Sequence, residues 1–270
     1  MTRYSIFSLL RNAATYHQDW QRVWRAPEPR DSYDVVIIGG GGHGLATAYY
    51  LAKNHGITNV AVLEKGYIGG GNTGRNTAII RSNYLTPDGV HFYEESVKLF
   101  QGLSQEFDYN IMYSERGHFT LAHTDASIRT MRWRAEVNKH LGVDSELVMR
   151  DELARLVPQL NMSDEVRYPI LGALYHAPGS IARHDAVAWG YARGADSLGV
   201  DILQNCEVQS FMIEGGVCKG VETTKGSIKA KKVAVCVAGS SGRVMAMAGI
   251  RVPIESHVMQ AFVSEALKPV

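Results

Sequence analysis

Short apolar runs separated by glycine-rich or polar breaks dominate the region from residue 34 to residue 64. Residues 35–38 form an apolar run typical of a buried strand, and residues 43–55 are compatible with a helix. Gly56 follows that helix, and a second apolar run closes on Glu64. The order strand, helix, strand predicts a complete βαβ unit.

The turn between the first strand and the helix is rich in glycine. Gly39, Gly41 and Gly44 follow the G-x-G-x-x-G spacing, and Glu64 lies 20 positions after Gly44. In such a unit the helix N-terminus faces a pyrophosphate, and the acidic residue accepts hydrogen bonds from a ribose. The pattern therefore predicts dinucleotide binding, whereas an ordinary strand–turn–helix leaves four consecutive glycines unexplained. The candidate residues here are Gly39, Gly40, Gly41, Gly42, His43, Gly44, Glu64 and Lys65.

Beyond Glu64 the pattern predicts both helices and strands. Helices are expected at 88–107, 125–141, 151–157 and 185–198, and a strand at 117–122. Three antiparallel strands, expected at 208–213, 217–223 and 227–230, precede an apolar strand at 233–239. FAD domains of the glutathione-reductase type contain such a meander, while a plain NAD-binding Rossmann domain continues with βα units. FAD is therefore favoured over NAD.

Composition and charge narrow the class of protein. The chain has 270 residues, of which 45% are hydrophobic and 20% charged, with a formal net charge of +1. These values are those of a soluble globular protein and give no electrostatic case for nucleic acid or membrane partners. Cys206, Cys218 and Cys236 lie singly in apolar segments, which indicates reduced thiols in a cytoplasmic protein and neither a disulfide nor a metal site.

Residues 1–30 form a separate N-terminal arm. The arm is rich in arginine and poor in acidic residues, a composition found in transit peptides. A helical arm that packs on a partner subunit is an equally good interpretation. Pro27 and Pro29 end any helix before the first strand.

From Tyr33 onwards the chain resembles the β subunits of bacterial heterotetrameric sarcosine oxidases, within the D-amino acid oxidase-like FAD superfamily. The stretches that carry the resemblance are 33–56, 75–84, 182–189 and 199–208. The resemblance implies an α/β fold with a glutathione-reductase-type FAD-binding Rossmann domain and its inserted antiparallel meander. A discontinuous FAD domain at 31–112 and 168–246 is expected, with an incomplete α+β substrate domain at 113–167 and 247–270.

The resemblance also implies a division of labour between subunits. The β subunit of this family binds FAD non-covalently and carries FMN covalently on a histidine near the contact with the α subunit. Sarcosine is oxidised at the FAD, and electrons pass through the FMN to oxygen, which becomes hydrogen peroxide. The products are glycine and a one-carbon unit. The implied partners are an NAD- and folate-binding α subunit, a γ subunit and a zinc-binding δ subunit.

Carried onto this chain, the flavin-bearing histidine is His184. Its position at the start of a predicted helix disfavours the imidazolium form, and the neutral imidazole has the lone pair needed to attack a flavin methyl carbon. Arg183 either neutralises the FMN phosphate or is solvated. Arg81 is the candidate partner of the substrate carboxylate, with a structural salt bridge or a flavin contact as alternatives. Ala78 occupies a position where single-subunit sarcosine oxidases have arginine.

The remaining cofactor candidates come from a glycine-rich loop after Glu64 and from the later strands. The loop offers backbone donors to the far side of a dinucleotide, unless it is only a flexible surface loop. The candidates are Asn72, Thr73, Arg75, Asn76, Thr77, Val208, Ala238 and Gly239. One departure from the family pattern is Ser240, because a histidine is expected after Gly239.

The substrate domain is expected to continue beyond Val270 in a full-length member of the family. A chain of this length should hold the adenosine half of FAD and bind flavin poorly on its own. Two other functions stay open from the sequence. One is a related FAD amine or amino-acid oxidase acting on dimethylglycine or glycine, and the other is a non-catalytic FAD-binding fragment.

Overall fold

A computed structural model describes residues 5–16, 18, 22–260 and 265. The remaining parts of the predicted N-terminal arm and of the predicted C-terminal substrate segment lie outside the described residues. The helices are α1 (Ile6–Ala14), α2 (Gly42–His55), α3 (Pro87–Glu106), α4 (Asp125–His140), α5 (Arg150–Leu156), α6 (His184–Ser197) and α7 (Ser241–Ala246).

Within the described residues, the strands form three sheets. They are β1 (Ser32–Ile38), β2 (Val60–Leu63), β3 (Ile79–Ile80), β4 (Ser114–Glu115), β5 (His118–Ala122), β6 (Glu146–Met149), β7 (Gly172–His176), β8 (Ser180–Ile181), β9 (Asp201–Leu203), β10 (Val208–Glu214), β11 (Val217–Thr223) and β12 (Gly226–Val235). The strand orders are β10-β11-β12-β1-β2-β9, β3-β8-β4 and β5-β7-β6.

The chain divides into two compact units. The first contains the described residues up to Tyr67 together with Ala192–Cys236, and the second contains Ile68–Tyr191 with the described residues from Val237 onwards. The six-stranded sheet belongs to the first unit, and the two three-stranded sheets belong to the second. The division into cofactor and substrate domains inferred from the resemblance stays a prediction.

The centre of the first unit is the predicted βαβ unit. β1 pairs in parallel with β2 on one side and with β12 on the other, and β2 continues the sheet to β9. The side chains of Val36, Ile37 and Val62 are fully buried, as expected for strands covered on both faces. Leu45 and Ala48 of α2 are also fully buried, so the helix lies close to the sheet.

The meander is present, but its last strand differs from the prediction. The sequence suggests a short strand at 227–230, a break at two lysines and a separate strand at 233–239. The structure instead has one continuous strand, β12, which pairs antiparallel with β11 through Gly226–Lys229 and in parallel with β1 through Lys229–Val235. The lysines do not interrupt the strand because their side chains are exposed, and Lys231 pairs with Asp34 at 2.6 Å.

The second unit places helices against its small sheets. Ile128, Met131 and Ala135 of α4 form a buried stripe with Ala122 and Leu174 of the β5-β7-β6 sheet. The spacing of this stripe is that of one helical face. The predicted helices at 88–107, 125–141, 151–157 and 185–198 and the strand at 117–122 are confirmed within one residue at each end. None of the described helices combines the length and apolarity needed to cross a bilayer.

The described end of the N-terminal arm is fixed to the first unit by charge. Arg30 Nε lies 2.8 Å from a carboxylate oxygen of Asp201, which also accepts a hydrogen bond from the Tyr33 hydroxyl at 3.1 Å. Arg25 pairs with Asp196 at 2.8 Å. Asp201 is only 1% exposed, and burial raises the pKa of Tyr33. These contacts make residues 25–33 part of the first unit, which the sequence pattern does not indicate.

Candidate functional site

The glycine turn of the first unit has the geometry that a phosphate cradle requires. Gly39 has a φ of 110°, a conformation that other residues rarely adopt. A Cβ on Gly44 would lie 1.9 Å from the carbonyl oxygen of Gly39, so only glycine lets α2 begin this close to the strand. No side chain caps the N-terminus of α2 at Gly41. The positive end of the helix dipole lies at this turn, where it favours an anion.

Glu64 is fixed beside this turn by two backbone donors. One carboxylate oxygen accepts from Gly40 N–H at 2.8 Å, and the other accepts from Gly66 N–H at 2.9 Å. A carboxylate has about four acceptor positions. The two bonds thus orient the group and leave acceptor positions for the hydroxyls of a ribose.

The other candidates of the first unit surround this acid. Lys65 and His43 are exposed, with His43 in the first turn of α2. Val208 is buried at the start of β10. Two residues before it, Cys206 donates its N–H to the Glu64 carbonyl at 2.9 Å. The first unit therefore brings together residues that are far apart in the chain.

In the second unit, the predicted glycine-rich loop is folded on itself. Asn72–Arg75 form a 3₁₀ turn, with Thr73 half-buried and the other residues of the turn and Thr77 exposed. The Asn76 side chain accepts from Ala78 N–H at 2.6 Å and donates to the Thr73 carbonyl. Ala78 has a φ of 60°, a strained value for a residue with a Cβ. The Asn76 amide thus orders the loop.

Asn72 lies near the other predicted segment of the second unit. A Cβ built on Gly239 would be 4.0 Å from the Asn72 amide nitrogen. Ala238 and Gly239 are exposed in a 3₁₀ turn, and the Gly239 carbonyl accepts from the Ser256 hydroxyl at 2.7 Å. Two candidates separated by 167 positions in the chain (239 − 72) are therefore neighbours in space.

His184 begins α6, as the sequence predicts. Its Nδ1 atom is buried and has no hydrogen-bond partner among the described residues. The Arg183 guanidinium pairs with both oxygens of Asp185 at 2.9 and 3.0 Å. Burial alone would raise the pKa of Asp185, but Arg183 and the Ala186 N–H hold that pKa below its ordinary value. Arg183 is therefore engaged by a neighbouring carboxylate, and a phosphate would have to share it.

Arg81 has a different environment. Its guanidinium donates to the Asn83 side-chain oxygen at 2.9 Å and lies 4.5 Å from the centre of the Tyr84 ring. It forms no ion pair with a carboxylate within the described residues. A half-buried arginine with neutral partners keeps its full charge available for an anionic ligand.

The segment after Arg81 is held by α4 and β7. Arg134 donates to the Asn83 carbonyl at 2.9 Å, and the Asn138 amide donates to the Tyr84 carbonyl at 2.9 Å. The ring of His176 lies 3.4 Å from the backbone nitrogen of Ser82. Because His176 Nδ1 lies 2.6 Å from the Asp144 carbonyl oxygen, Nδ1 carries the proton and Nε2 is the acceptor.

This cluster is positively charged and partly dehydrated. Burial and then the charges of Arg81, His176 and Arg134 lower the pKa of His118. Burial also lowers the pKa of His176, and it acts with the charge of Arg81 to lower that of Arg134. Four buried polar atoms of the cluster have no hydrogen-bond partner among the described residues: Asn83 Nδ2, Arg134 Nε, His118 Nδ1 and Asn138 Oδ1. The printed partners of Arg81 and Arg134 are uncharged, so within the described residues the positive charge of the two guanidinium groups is not neutralised by an ion pair.

Sequence reasoning named Arg81 and missed the rest of this cluster. One signal was available in α4, where the buried stripe at Ile128, Met131 and Ala135 continues to Asn138. A polar side chain on an apolar helical stripe requires a buried partner. No such signal points to His118 or His176, because they lie on short strands whose pairing is long-range.

The fold and the nucleotide cradle, formed by Gly39–Gly44 with Glu64, are those of the class of FAD-binding oxidoreductases. The chain belongs to the DAO family of FAD dependent oxidoreductases, whose family model matches residues 34–269. It is 56% identical to sarcosine oxidase subunit beta of Rhizobium meliloti (strain 1021), over 99% of this chain and 64% of that protein. It is 51% identical to the subunit of the same name from Rhodobacter capsulatus, over 100% of this chain and 65% of that protein.

The predicted resemblance is thus confirmed, and the chain spans just under two thirds of these relatives. Solved structures agree with the predicted fold class. L-proline dehydrogenase from P. horikoshii gives a TM-score of 0.75 at 30% identity, covering 83% of this chain and 57% of that one. Glycine oxidase from Bacillus cereus gives 0.68 at 25% identity, covering 79% and 57%.

Proposed function

We propose that this chain is the flavin-binding part of a sarcosine oxidase β subunit, which oxidises sarcosine to glycine with release of a one-carbon unit and hydrogen peroxide. The observation that carries the proposal is the nucleotide cradle, Gly39–Gly44 with Glu64, in a chain 56% identical to a sarcosine oxidase subunit beta. We infer the substrate from the name of that relative, and we infer the cofactor from the geometry of the cradle.

The first unit would hold the adenosine half of non-covalent FAD. The N-terminus of α2 would face the pyrophosphate, and the fixed carboxylate of Glu64 would accept hydrogen bonds from the ribose. The chemistry that a bound flavin would supply is to accept a hydride equivalent from the N-methyl group of sarcosine. The residues of this chain supply placement and charge.

Arg81 would bind the substrate carboxylate. Its neutral partners, Asn83 and Tyr84, leave its charge uncompensated within the described residues. A planar guanidinium can bind a carboxylate through two parallel hydrogen bonds. The unpartnered donors of the surrounding cluster support an anionic ligand in the second unit.

His184 would carry FMN covalently. The supporting observations are its position at the start of α6 and its buried, unpartnered Nδ1 atom. A covalent bond to a flavin requires an imidazole nitrogen with an available lone pair, and no hydrogen bond from the described residues engages Nδ1. Arg183 would share its charge between Asp185 and the FMN phosphate.

The partners would be an NAD- and folate-binding α subunit and the γ and δ subunits, in the cytoplasm. Support for a multi-subunit enzyme comes from the word subunit in the names of the similar proteins. The exposed apolar residues of α1, Ile6, Phe7 and Leu10 among them, fit the interpretation of the arm as a surface for another chain.

In-gel flavin fluorescence tests this proposal. The protein is produced together with its α subunit, fully denatured and separated by size. Fluorescence should remain on this chain, disappear in His184→Ala and persist in the control His123→Ala, an exposed histidine of the same unit. A dark band in the wild-type protein, repeated with a chain as long as the relatives, would overturn the assignment of FMN to His184.

A second candidate is an FAD enzyme acting on another N-methyl amine. Dimethylglycine dehydrogenase of Rattus norvegicus is 26% identical over 84% of this chain. A comparison of flavin reduction by sarcosine, dimethylglycine and glycine distinguishes the two candidates, and faster reduction by dimethylglycine would favour the second.

A further inference from the structure

The segment Ser82–Tyr84 is the most tightly held irregular segment near Arg81. Ser82 and Asn83 are fully buried although they belong to no helix or strand. Their backbone groups are bonded to side chains of other elements: Ser82 N–H faces His176 of β7, and the Asn83 carbonyl accepts from Arg134 of α4. Asn138, one turn further along α4, holds the Tyr84 carbonyl. The two α4 bonds thus fix consecutive peptide groups.

The same segment determines where the Arg81 guanidinium lies. The Asn83 side chain accepts one of its hydrogen bonds, and the Tyr84 ring packs against its face. Tyr84 in turn stacks on Tyr93 with ring centres 3.9 Å apart. Any shift of the Asn83–Tyr84 backbone would therefore move both groups that orient Arg81.

We propose that Arg134 and Asn138 are positioning residues that hold the Asn83–Tyr84 backbone so that the Arg81 guanidinium is preorganised for a substrate carboxylate. This inference rests on the proposed function of Arg81 and extends it to a second layer of residues. Preorganisation matters because displacement of a binding group by about 1 Å can cost up to about 100-fold.

The chemistry of Arg134 favours this role over a purely structural one. A single hydrogen bond to a backbone carbonyl needs no charge, and a neutral side chain could donate it. Instead a partly buried guanidinium lies close enough to Arg81 for the two charges to repel, and its Nε atom has no partner among the described residues. Such an arrangement costs folding free energy. An anion bound at Arg81 would offset that cost.

Binding of a non-reacting analogue to the FAD-loaded protein tests the inference. Methoxyacetate keeps the carboxylate of sarcosine and replaces its amine with an ether oxygen, and methoxyacetamide lacks the negative charge. Dissociation constants for both are measured from the flavin absorbance change. The variants are Arg81→Gln, Arg134→Gln, Arg134→Lys, Asn138→Leu and the double variant at positions 81 and 134. Arg132→Gln, an exposed arginine of the same helix, is the matched control.

We expect Arg134→Gln to weaken methoxyacetate binding about tenfold and to leave methoxyacetamide binding unchanged. Arg134→Lys keeps one donor and should recover part of the loss, while Arg132→Gln should have no effect. Asn138→Leu should weaken binding in the same direction. In the Arg81→Gln background, Arg134→Gln should add less than about twofold, because its effect passes through Arg81.

Three results would overturn the inference. If Arg134→Gln lowers the thermal midpoint but leaves methoxyacetate binding intact, the residue is only structural. If Arg134→Gln weakens methoxyacetate binding as much in the Arg81→Gln background as in the wild type, Arg134 acts independently of Arg81. If Arg81→Gln itself leaves methoxyacetate binding unchanged, the proposed role of Arg81 fails, and the inference fails with it.

Discussion

Around the glycine turn of the first unit the key contacts are made by backbone atoms, whereas around Arg81 in the second unit they are made by side chains. Gly40 and Gly66 offer N–H groups to Glu64 from positions within 26 residues of one another. Arg134 and His176 reach the segment after Arg81 across 51 and 94 positions. The contacts of the glycine turn therefore come from one continuous stretch of sequence, whereas the contacts around Arg81 join residues that only the fold brings together.

The difference has a physical cause. A phosphate can be bound by peptide N–H groups, which any residue supplies, so the sequence must only permit the backbone to approach. A carboxylate in a partly buried site needs a fixed cation, and fixing a long side chain requires partners around it. The substitutions that damage the two sites should differ accordingly.

The largest effect should come from adding one methyl group to the glycine turn. In Gly44→Ala the new Cβ would meet the Gly39 carbonyl oxygen at 1.9 Å, so the turn or α2 must move. We expect a loss of about 3 kcal/mol in the free energy of unfolding and FAD binding weakened by at least about 100-fold. Chemical denaturation and flavin titration measure these changes.

Gly102→Ala is the matched control for that variant. A Cβ at Gly102, in the interior of α3, would have no neighbour within 4 Å. The substitution should raise stability by about 0.5–1 kcal/mol and leave FAD binding unchanged. Equal behaviour of the two alanine variants would contradict the description of the turn.

A smaller effect should follow removal of the one side-chain charge in the nucleotide cradle. Glu64→Gln has a single acceptor oxygen and cannot bond both Gly40 and Gly66 in the observed way. Loss of one charge-assisted hydrogen bond, about 1.5–3 kcal/mol, should weaken FAD binding about 10- to 100-fold. Glu214→Gln, at an exposed glutamate of the same unit outside the candidate residues, should change binding less than about twofold. Unaltered FAD affinity in Glu64→Gln would exclude the carboxylate from cofactor binding.

The smallest effect should be a pH dependence of stability that arises from the histidines of the cluster around Arg81. Burial lowers the pKa of His118 and of His176 below the ordinary value of 6.5. The unfolded chain therefore binds more protons than the folded protein below pH 6.5, and stability should fall as the pH falls through that value. Thermal midpoints measured across this range should decline less steeply in His176→Gln than in the wild type.

The exposed His140 provides the control for the pH experiment. His140→Gln should leave the decline unchanged. A wild-type midpoint that stays constant from neutral pH to well below 6.5 would show that the two imidazoles are not held in their neutral forms.

The difference between local and long-range contacts also determines which features could be predicted from the sequence. The βαβ unit, the start of α6 at His184 and the helices of the second unit follow from local periodicity and glycine spacing, so they could be predicted. The continuity of β12 through Lys231 could not, because exposed lysines in a strand resemble a turn in a one-dimensional pattern. The partners of Arg81 could not either, since pairing across β5, β7 and α4 is a property of the fold. The sequence pattern places Arg25 and Arg30 in a separate arm because nothing local connects Arg25 to Asp196 or Arg30 to Asp201.

Anaerobic reduction of the bound flavin by sarcosine tests the central claim most directly. The FAD-loaded protein, assembled with the proposed partner subunits, is mixed with increasing sarcosine, and the loss of the flavin's long-wavelength absorbance is recorded for the wild type and for Arg81→Gln. The account predicts saturable reduction in the wild type, with half-saturation shifted by at least about tenfold in the variant. Reduction that is equal in both proteins, or no reduction by sarcosine at any concentration, would contradict it.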